Sequence, residues 1–167
     1  PLYTSQGGPE MTLILPGELK MGAGRREPGR RSNEIEKQVL LTRAFYLGTK
    51  EIDNATFKRY DSTHDSGILG RSRLSQDDRP VVNVSWLEAA RFCNWLSEQD
   101  GLAPVYKFTS IGAEIEQPLG NGYRLPTEAE WAYAARYADG EPTRFPWGDN
   151  MPPSGIHANY ADMTADR

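Results

Sequence analysis

Short apolar runs separated by polar turns characterise the first third of the chain and predict β-strands. Residues 11–15 and 19–21 are two such runs, and the Pro-Gly pair between them predicts a hairpin-like pair of strands. Residues 38–52 have the β-branched and aromatic content of two more strands, with a break near residues 42–44. The N-terminal part is therefore predicted to be rich in short strands.

Two helices later in the chain are predicted by apolar residues at helical spacing behind a capping box. Ser85 stands three residues before Glu88, and Thr127 stands three residues before Glu130, which is the spacing of that reciprocal cap. The residues expected on the buried stripes are Trp86, Ala89, Ala90, Cys93 and Leu96 in the first helix and Trp131, Ala134, Ala135 and Ala138 in the second.

Between these elements the sequence predicts shorter or irregular pieces. Asp53 or Asn54 is expected to cap a short helix that carries Phe57 and Tyr60 on one face. Residues 61–79 are polar and have no period, which indicates a long surface loop.

The remaining predictions complete an α+β domain with little regular secondary structure. A short strand is predicted over residues 80–84, and residues 105–108 are predicted to pair with residues 123–125 as a hairpin. Gly101 and residues 139–140 are expected to end the two capped helices. The order of elements contains no βαβ alternation, which argues against a nucleotide-binding sheet fold.

Composition sets the size and class of the protein. The chain of 167 residues is one domain's worth, and 25% charged with 38% hydrophobic residues is typical of a globular protein. A net charge of −4 gives no reason to expect nucleic-acid binding, and no apolar run in the sequence is long enough to span a membrane. These observations leave the localisation open.

A single cysteine, Cys93, limits the chemistry of the chain. It excludes an intrachain disulfide and a Cys-x-x-Cys pair. A closed thiolate zinc site is also excluded, because His64 and His157, the other soft ligands, lie far apart in the sequence. Cys93 falls on the apolar stripe of its helix, so we expect a core residue whose thiol has a raised pKa.

Four arginines cluster between residues 25 and 31, with glutamates interleaved among them. Interleaved charges of this kind are typical of a solvated face, which is what we expect here. The residues of this cluster are Arg25, Arg26, Arg30 and Arg31, with Glu27, Glu34 and Glu36.

Five ordered blocks of the sequence stand out when they are taken together. They are PEMTLILPGELKMG with NEIEKQVLLTRAFYLGTKEIDNATFKRY, RPVVNVSWLEAARFCNWLSEQDG, YRLPTEAEWAYAAR, FPWGD and HANYAD. These blocks resemble the formylglycine-generating enzyme family, also called the sulfatase-modifying-factor family, and cover almost the whole chain. The resemblance implies the family's compact, C-type-lectin-like fold, in which the YRLPTEAEW block is scaffold.

The resemblance also implies a chemistry for which this chain lacks the groups. The family's oxidases convert a substrate cysteine to formylglycine, with copper held by two closely spaced cysteines in the C-terminal part of the domain. Copper(I) prefers soft thiolate ligands, and no catalytic or cofactor-binding residue can be assigned here. We therefore expect residues 1–167 to be a single domain, the N-terminal half to two-thirds of a family domain, which holds copper only if a C-terminal segment completes the site.

Calcium is the second metal that the resemblance implies. In the family an asparagine side chain and the next residue's carbonyl bind it, and these correspond to Asn159 and the main chain of Tyr160. Calcium takes six to eight oxygen ligands, so two residues do not suffice. Asp162 and Asp166 are nearby oxygen donors, although acidic residues in a terminal coil are more often solvated.

Two functions therefore stay open. In the first, the chain is part of an oxidase domain that is inactive until a C-terminal segment supplies the cysteine pair, with a protein or peptide as substrate. In the second, it is a non-catalytic, lectin-like binding or assembly module, a pseudoenzyme of the same fold. The expected partner is the remaining C-terminal segment or another copy of the chain.

Overall fold

A computed structural model describes residues 1–6, 8–27, 30–138, 141–143, 145 and 148–150. The helices in this part of the chain are α1 (Asn54–Tyr60), α2 (Trp86–Gln99) and α3 (Glu128–Arg136). The strands are β1 (Leu2–Thr4), β2 (Glu10–Ile14), β3 (Gly17–Met21), β4 (Lys37–Leu41), β5 (Phe45–Gly48), β6 (Ile68–Leu69), β7 (Ser72–Arg73), β8 (Tyr106–Thr109), β9 (Gly112–Ile115), β10 (Tyr137–Ala138) and β11 (Glu141–Pro142).

The chain divides into two compact units, and each of them is built from two stretches of sequence. The first unit comprises residues 1–15 and 44–126, and the second comprises residues 16–43 and 127–167. Short strands and three helices in the described residues make this an α+β fold with little regular secondary structure, as predicted. None of the described helices is long and apolar enough to cross a membrane.

The N-terminal strands are present, but the predicted hairpin of residues 11–15 with 19–21 is wrong. In the first unit β2 lies between β1 and β5 and is antiparallel to both. Because both edges of β2 are occupied, β3 pairs with β4 in the second unit instead. The break near residues 42–44 is confirmed, since β4 ends at Leu41 and β5 begins at Phe45.

Helix α1 begins as predicted and contributes to an aromatic core cluster. The side chain of Asp53 accepts a hydrogen bond from the Thr56 backbone N–H at 2.7 Å, which is the N-cap. Phe57 is buried and its ring lies 5.2 Å from that of Phe92 and 5.5 Å from that of Tyr60. These rings, together with Leu96, form a core cluster of the first unit.

Helix α2 has both of the ends that the sequence predicts. Ser85 and Glu88 form the capping box, with the backbone N–H of each residue donating to the side chain of the other. At the other end Gly101 has φ +68°. Gly101 N donates to Glu98 O, and Leu102 N donates to Ser97 O at 2.8 Å. This is the Schellman arrangement, which ends a helix on a left-handed residue.

The buried stripe of α2 is confirmed in part. Ala90, Cys93 and Leu96 are buried, together with Phe92 and Ser97. Trp86 was expected on this stripe but is 52% exposed. It is the first residue of the helix, and its ring contacts that of Tyr106 edge-on, with centroids 5.5 Å apart. Its ring therefore packs at the margin of the core and keeps about half of its surface in solvent.

The buried stripe predicted for α3 is wrong by about one residue. Trp131 is 58% exposed, whereas Glu130 is buried. Tyr133 lies against β3, so close that a Cβ on Gly17 would be 2.1 Å from its hydroxyl oxygen. Because alanines occupy much of the predicted stripe, the tyrosine rather than the tryptophan sets which face of α3 packs. The described helix ends at Arg136, and residues 139–140, its predicted stop, are outside the described residues.

Two further strand predictions are corrected. Within residues 80–84 only an isolated bridge forms, between Pro80 and Asp53, and the rest is not a strand. Strand β8 pairs with β9 rather than with residues 123–125. The backbone N–H of Leu125 donates instead to the hydroxyl of Tyr106 at 3.0 Å. A side chain thus takes the hydrogen bond that a strand ladder would have made.

Candidate functional site

The second unit contains a cleft of about 490 Å³. This volume lies within the range of small-molecule and peptide-side-chain pockets, about 300–1,000 Å³. The residues that line it are Lys20, Gly22, Glu27, Glu36, Arg136, Tyr137 and Thr143. Both signs of charge therefore face the same space.

An ion pair forms one wall of the cleft. Lys20 lies on β3, and its ammonium nitrogen is 2.6 Å from Oε1 of Glu36, just before β4. The hydrogen bond with Glu36, and then its charge, raise the pKa of Lys20 above the usual value. Both side chains are partly exposed, so the pair orders the cleft more than it stabilises the fold.

The end of α3 and the segment after it provide the other wall. The hydroxyl of Tyr137 accepts a hydrogen bond from the backbone N–H of Lys20 at 2.9 Å, and its ring stacks on Tyr133 at 5.0 Å. Nε of Arg136 donates to Thr143 O at 2.9 Å, and Thr143 N donates to Arg136 O at 2.8 Å. These reciprocal bonds fix Arg136 in the cleft wall before any ligand arrives.

The arginine-rich loop beside the cleft is held by its own side chains. Nε of Arg30 donates to Ala23 O at 3.0 Å and to Glu34 O at 3.1 Å. Gly22 has φ +87°, and a Cβ there would lie 2.3 Å from Ile35 O, so only glycine fits. The solvated face predicted for Arg25, Arg26 and Arg31 is observed, whereas Arg30 is half-buried and structural.

Lys20 in this cleft is suited to binding an anionic group rather than to proton transfer. A lysine whose pKa is raised stays charged at neutral pH and is a poor general base. Pre-oriented cations and carboxylates can instead pair with a ligand that carries both charges, such as a peptide side chain next to another of opposite sign. No local pattern in the sequence predicts this site, because the register of β3 with β4 brings Lys20 and Glu36 together.

Cys93 lies in the core of the first unit. It is buried beside Ala90, Val105 and Tyr106. Burial raises the pKa of its thiol to about 12, as expected for a structural cysteine. The prediction that Cys93 is a core residue is confirmed.

Asn159 and Tyr160, the predicted calcium ligands, lie outside the described residues, as do Asp162 and Asp166. Over the described ranges, no group of three or more His, Cys, Asp or Glu side chains is placed to hold a metal ion. The calcium site therefore stays a prediction.

A buried polar cluster in the first unit was not predicted. Asn54 and Ser66 are both fully buried, and the hydroxyl of Ser66 donates to Oδ1 of Asn54 at 2.6 Å. Nδ2 of Asn54 lies within hydrogen-bond distance of three loop carbonyl oxygens, those of Leu74, Gln76 and Arg79. The predicted surface loop of residues 61–79 is thus anchored to α1. Every polar atom of the cluster has a protein partner, so its role is structural.

Comparison with known proteins identifies a family whose model matches almost the whole chain. The family described as "Sulfatase-modifying factor enzyme 1-like domain" matches residues 3–165. The chain is 32% identical over 122 residues to the chaperone protein LppX of Paenibacillus barcinonensis, covering 63% of this chain and 40% of that protein. It is 35% identical over 106 residues to the formylglycine-generating enzyme of Mus musculus, covering 63% of this chain and 19% of that enzyme. The chain therefore spans less than half the length of either relative.

The solved structures support the same fold. The structure of Treponema denticola variable protein 1 superposes with a TM-score of 0.72 at 25% sequence identity. The superposition covers 90% of this chain and 60% of that one. The arrangement of short strands and three helices is therefore one that larger proteins also adopt.

Proposed function

Since the chain belongs to the family of sulfatase-modifying factor enzyme 1-like domains, we propose that it is part of a formylglycine-generating-enzyme-like domain. The family generates formylglycine from a cysteine of a protein substrate. We propose that this chain supplies scaffold and a binding cleft, and that it has no oxidase activity by itself.

The state of Cys93 carries this proposal. Copper in such an enzyme needs two accessible thiolates, and the chain has one cysteine. That cysteine is in the core, and a thiol with a pKa of about 12 is almost wholly protonated at neutral pH. The residues of this chain therefore do not fit copper.

The test is oxidation of a peptide with the family's cysteine-containing pattern, Cys-x-Pro-x-Arg. The chain is incubated with copper, oxygen and the peptide, and the aldehyde is sought by mass spectrometry. We expect no product from the chain alone. We expect product when a C-terminal segment carrying two cysteines is supplied, on the same chain or separately. Turnover by the chain alone would contradict the proposal.

Calcium binding at Asn159 and the main chain of Tyr160 is part of the proposal and is tested separately. Because each ion needs more oxygen donors than these two residues offer, we expect Asp162 or Asp166 to contribute. Isothermal titration with calcium should give a binding signal that Asn159→Ala removes. A signal that survives this substitution, or no signal for the unaltered chain, would reject the site.

A second candidate is a non-catalytic, lectin-like binding or assembly module, which the pre-oriented cleft favours. LppX, a relative named as a chaperone, supports the idea that proteins similar to this chain can act by binding. The partner would be a peptide or protein, a C-terminal segment, or a second copy of the chain. The candidates differ in one respect. A folded, copper-loaded protein that contains the cysteine-bearing segment, binds the peptide and leaves its mass unchanged would favour the module.

A further inference from the structure

The hairpin of β6 and β7 presents an apolar tip to solvent. Its two strands are joined by Gly70 and Arg71, and Gly70 has φ +60°, which suits the first position of a tight two-residue hairpin turn. Ile68 is 70% exposed and Leu69 is 73% exposed. Successive side chains in a strand point to opposite faces. Each face of the hairpin therefore exposes one aliphatic side chain to solvent.

Hydrogen bonds at the base of this hairpin hold it in one conformation, in which the tip stays exposed. Leu74 N donates to Gly67 O at 2.9 Å and closes the hairpin below the tip. Nδ2 of Asn54 donates to Leu74 O at 2.9 Å, and Ser66, directly before the hairpin, is fully buried. The hairpin is therefore already ordered in the folded protein. Binding of its tip to a surface does not carry the additional loss of conformational entropy that ordering a flexible loop would cost.

Positive charge surrounds the apolar tip. Arg71 in the turn and Arg73 on β7 are both exposed, and within the described part of the chain neither forms an ion pair. Asp65, at the base of the hairpin, accepts a hydrogen bond from Gly67 N at 2.9 Å. The tip is thus cationic on a chain whose net charge is −4.

We propose that the β6–β7 hairpin docks on an anionic lipid surface, with Ile68 and Leu69 entering the headgroup boundary and the two arginines contacting the lipid phosphates. A stable protein interface buries roughly 800 Å² on each partner through about 20–30 residues, far more than four side chains offer. Shallow insertion needs only a few aliphatic side chains and adjacent positive charge. The size and the charge of the tip therefore favour a lipid surface over a protein partner.

Flotation with phosphatidylcholine vesicles, with and without phosphatidylserine, tests this proposal. The chain should float with the phosphatidylserine vesicles, and less so as salt rises. Ile68→Ser with Leu69→Ser should lower binding at least tenfold, because each exposed aliphatic side chain loses its favourable transfer. Arg71→Gln or Arg73→Gln should each lower binding about fivefold on the phosphatidylserine vesicles only.

Leu40→Ser is the matched control, since Leu40 is 60% exposed on β4 in the other unit. It should leave flotation unchanged. Equal losses of vesicle binding for the Leu40 variant and the hairpin variant would overturn the proposal, and would indicate non-specific adsorption through any exposed apolar residue. Absence of flotation with any vesicle would also overturn it, and would leave a protein partner as the occupant of the tip.

Discussion

The hydroxyl of Ser66 donates to Oδ1 of Asn54 at 2.6 Å, and neither residue has any exposed surface. This pair joins the start of α1 to the loop that follows it. Nδ2 of Asn54 reaches three carbonyl oxygens farther along the same loop. One buried amide therefore makes several of the hydrogen bonds that hold this polar, aperiodic segment in place.

Substitution of Asn54 tests the importance of this buried cluster. Asn54→Ala removes the amide group that donates to the carbonyl oxygens of Leu74 and Gln76, and it removes one of the hydrogen-bond partners of the buried Ser66 hydroxyl. We therefore expect a loss on the order of 3 kcal/mol in the free energy of unfolding. Ala55→Ser, at the exposed neighbouring position, should change it by less than about 0.5 kcal/mol. Urea unfolding gives both values. A loss below about 1 kcal/mol for Asn54→Ala would show that the loop is anchored elsewhere.

Asp100 ties the N-terminal segment to the end of α2 and gives a pH-dependent prediction. It accepts hydrogen bonds from Tyr3 Oη at 3.0 Å, from Gln6 N at 2.8 Å and from Tyr123 Oη at 2.5 Å. Burial acts to raise its pKa, but these hydrogen bonds outweigh burial and lower it below 3.8. The stabilisation is therefore present above pH 3.8 and is lost as the pH falls through the lowered value.

Asp100→Asn should cost about 1 kcal/mol at pH 7, because the partly exposed carboxylate is screened by solvent. The difference from the unaltered chain should shrink as the pH falls below about 3.8. Urea unfolding at neutral and acidic pH measures it, with Asp78→Asn as an exposed control. A difference that does not change with pH would mean that the charge of Asp100 contributes nothing.

Trp131 and Phe92 offer a direct comparison between an exposed and a buried aromatic residue. Trp131 is 58% exposed and Phe92 is 4% exposed. Phe92→Ala should cost about 3–5 kcal/mol, whereas Trp131→Ala should cost less than about 1 kcal/mol. Thermal unfolding of the two variants measures the contrast. A larger loss for Trp131→Ala would show that its ring is covered in solution.

Because the thiol of Cys93 is buried, we expect the protein to lose stability at alkaline pH. Burial raises the thiol pKa from 9.0 to about 12 in the folded state, so the unfolded state ionises first as the pH rises. Stability is therefore full below pH 9 and falls between pH 9 and pH 12, by about 1.4 kcal/mol at pH 10. Cys93→Ala should remove this part of the alkaline loss while lowering stability by a constant amount. Identical pH profiles for both chains would contradict the raised pKa.

Local sequence signals predicted the helix ends well because they depend on neighbours. The capping boxes at Ser85 and Thr127 and the stop at Gly101 involve residues within a few positions of one another. Strand partners were predicted poorly. Whether β2 pairs with β3 depends on β1 and β5, and these occupy both of its edges. Competition between segments that are distant in the sequence cannot be seen in the local pattern of residues.

The candidate cleft could not be predicted for the same reason. Lys20 and Glu36 meet only because β3 pairs with β4, and Arg136 is fixed by a residue in the segment after α3. In α3 the alanines left the buried face undetermined, so the larger Trp131 was wrongly favoured over Tyr133. The core position of Cys93, in contrast, followed from the apolar spacing of its own helix.

Thiol labelling of Cys93 tests the central claim most directly, because the claim depends on this sulfur being unavailable. The folded chain is treated with iodoacetamide at pH 8, with and without copper(I), and is compared with the chain in guanidinium. We predict no labelling and no tightly bound copper in the folded state, and complete labelling after unfolding. Rapid labelling of the folded chain, with copper protecting the thiol, would contradict the account.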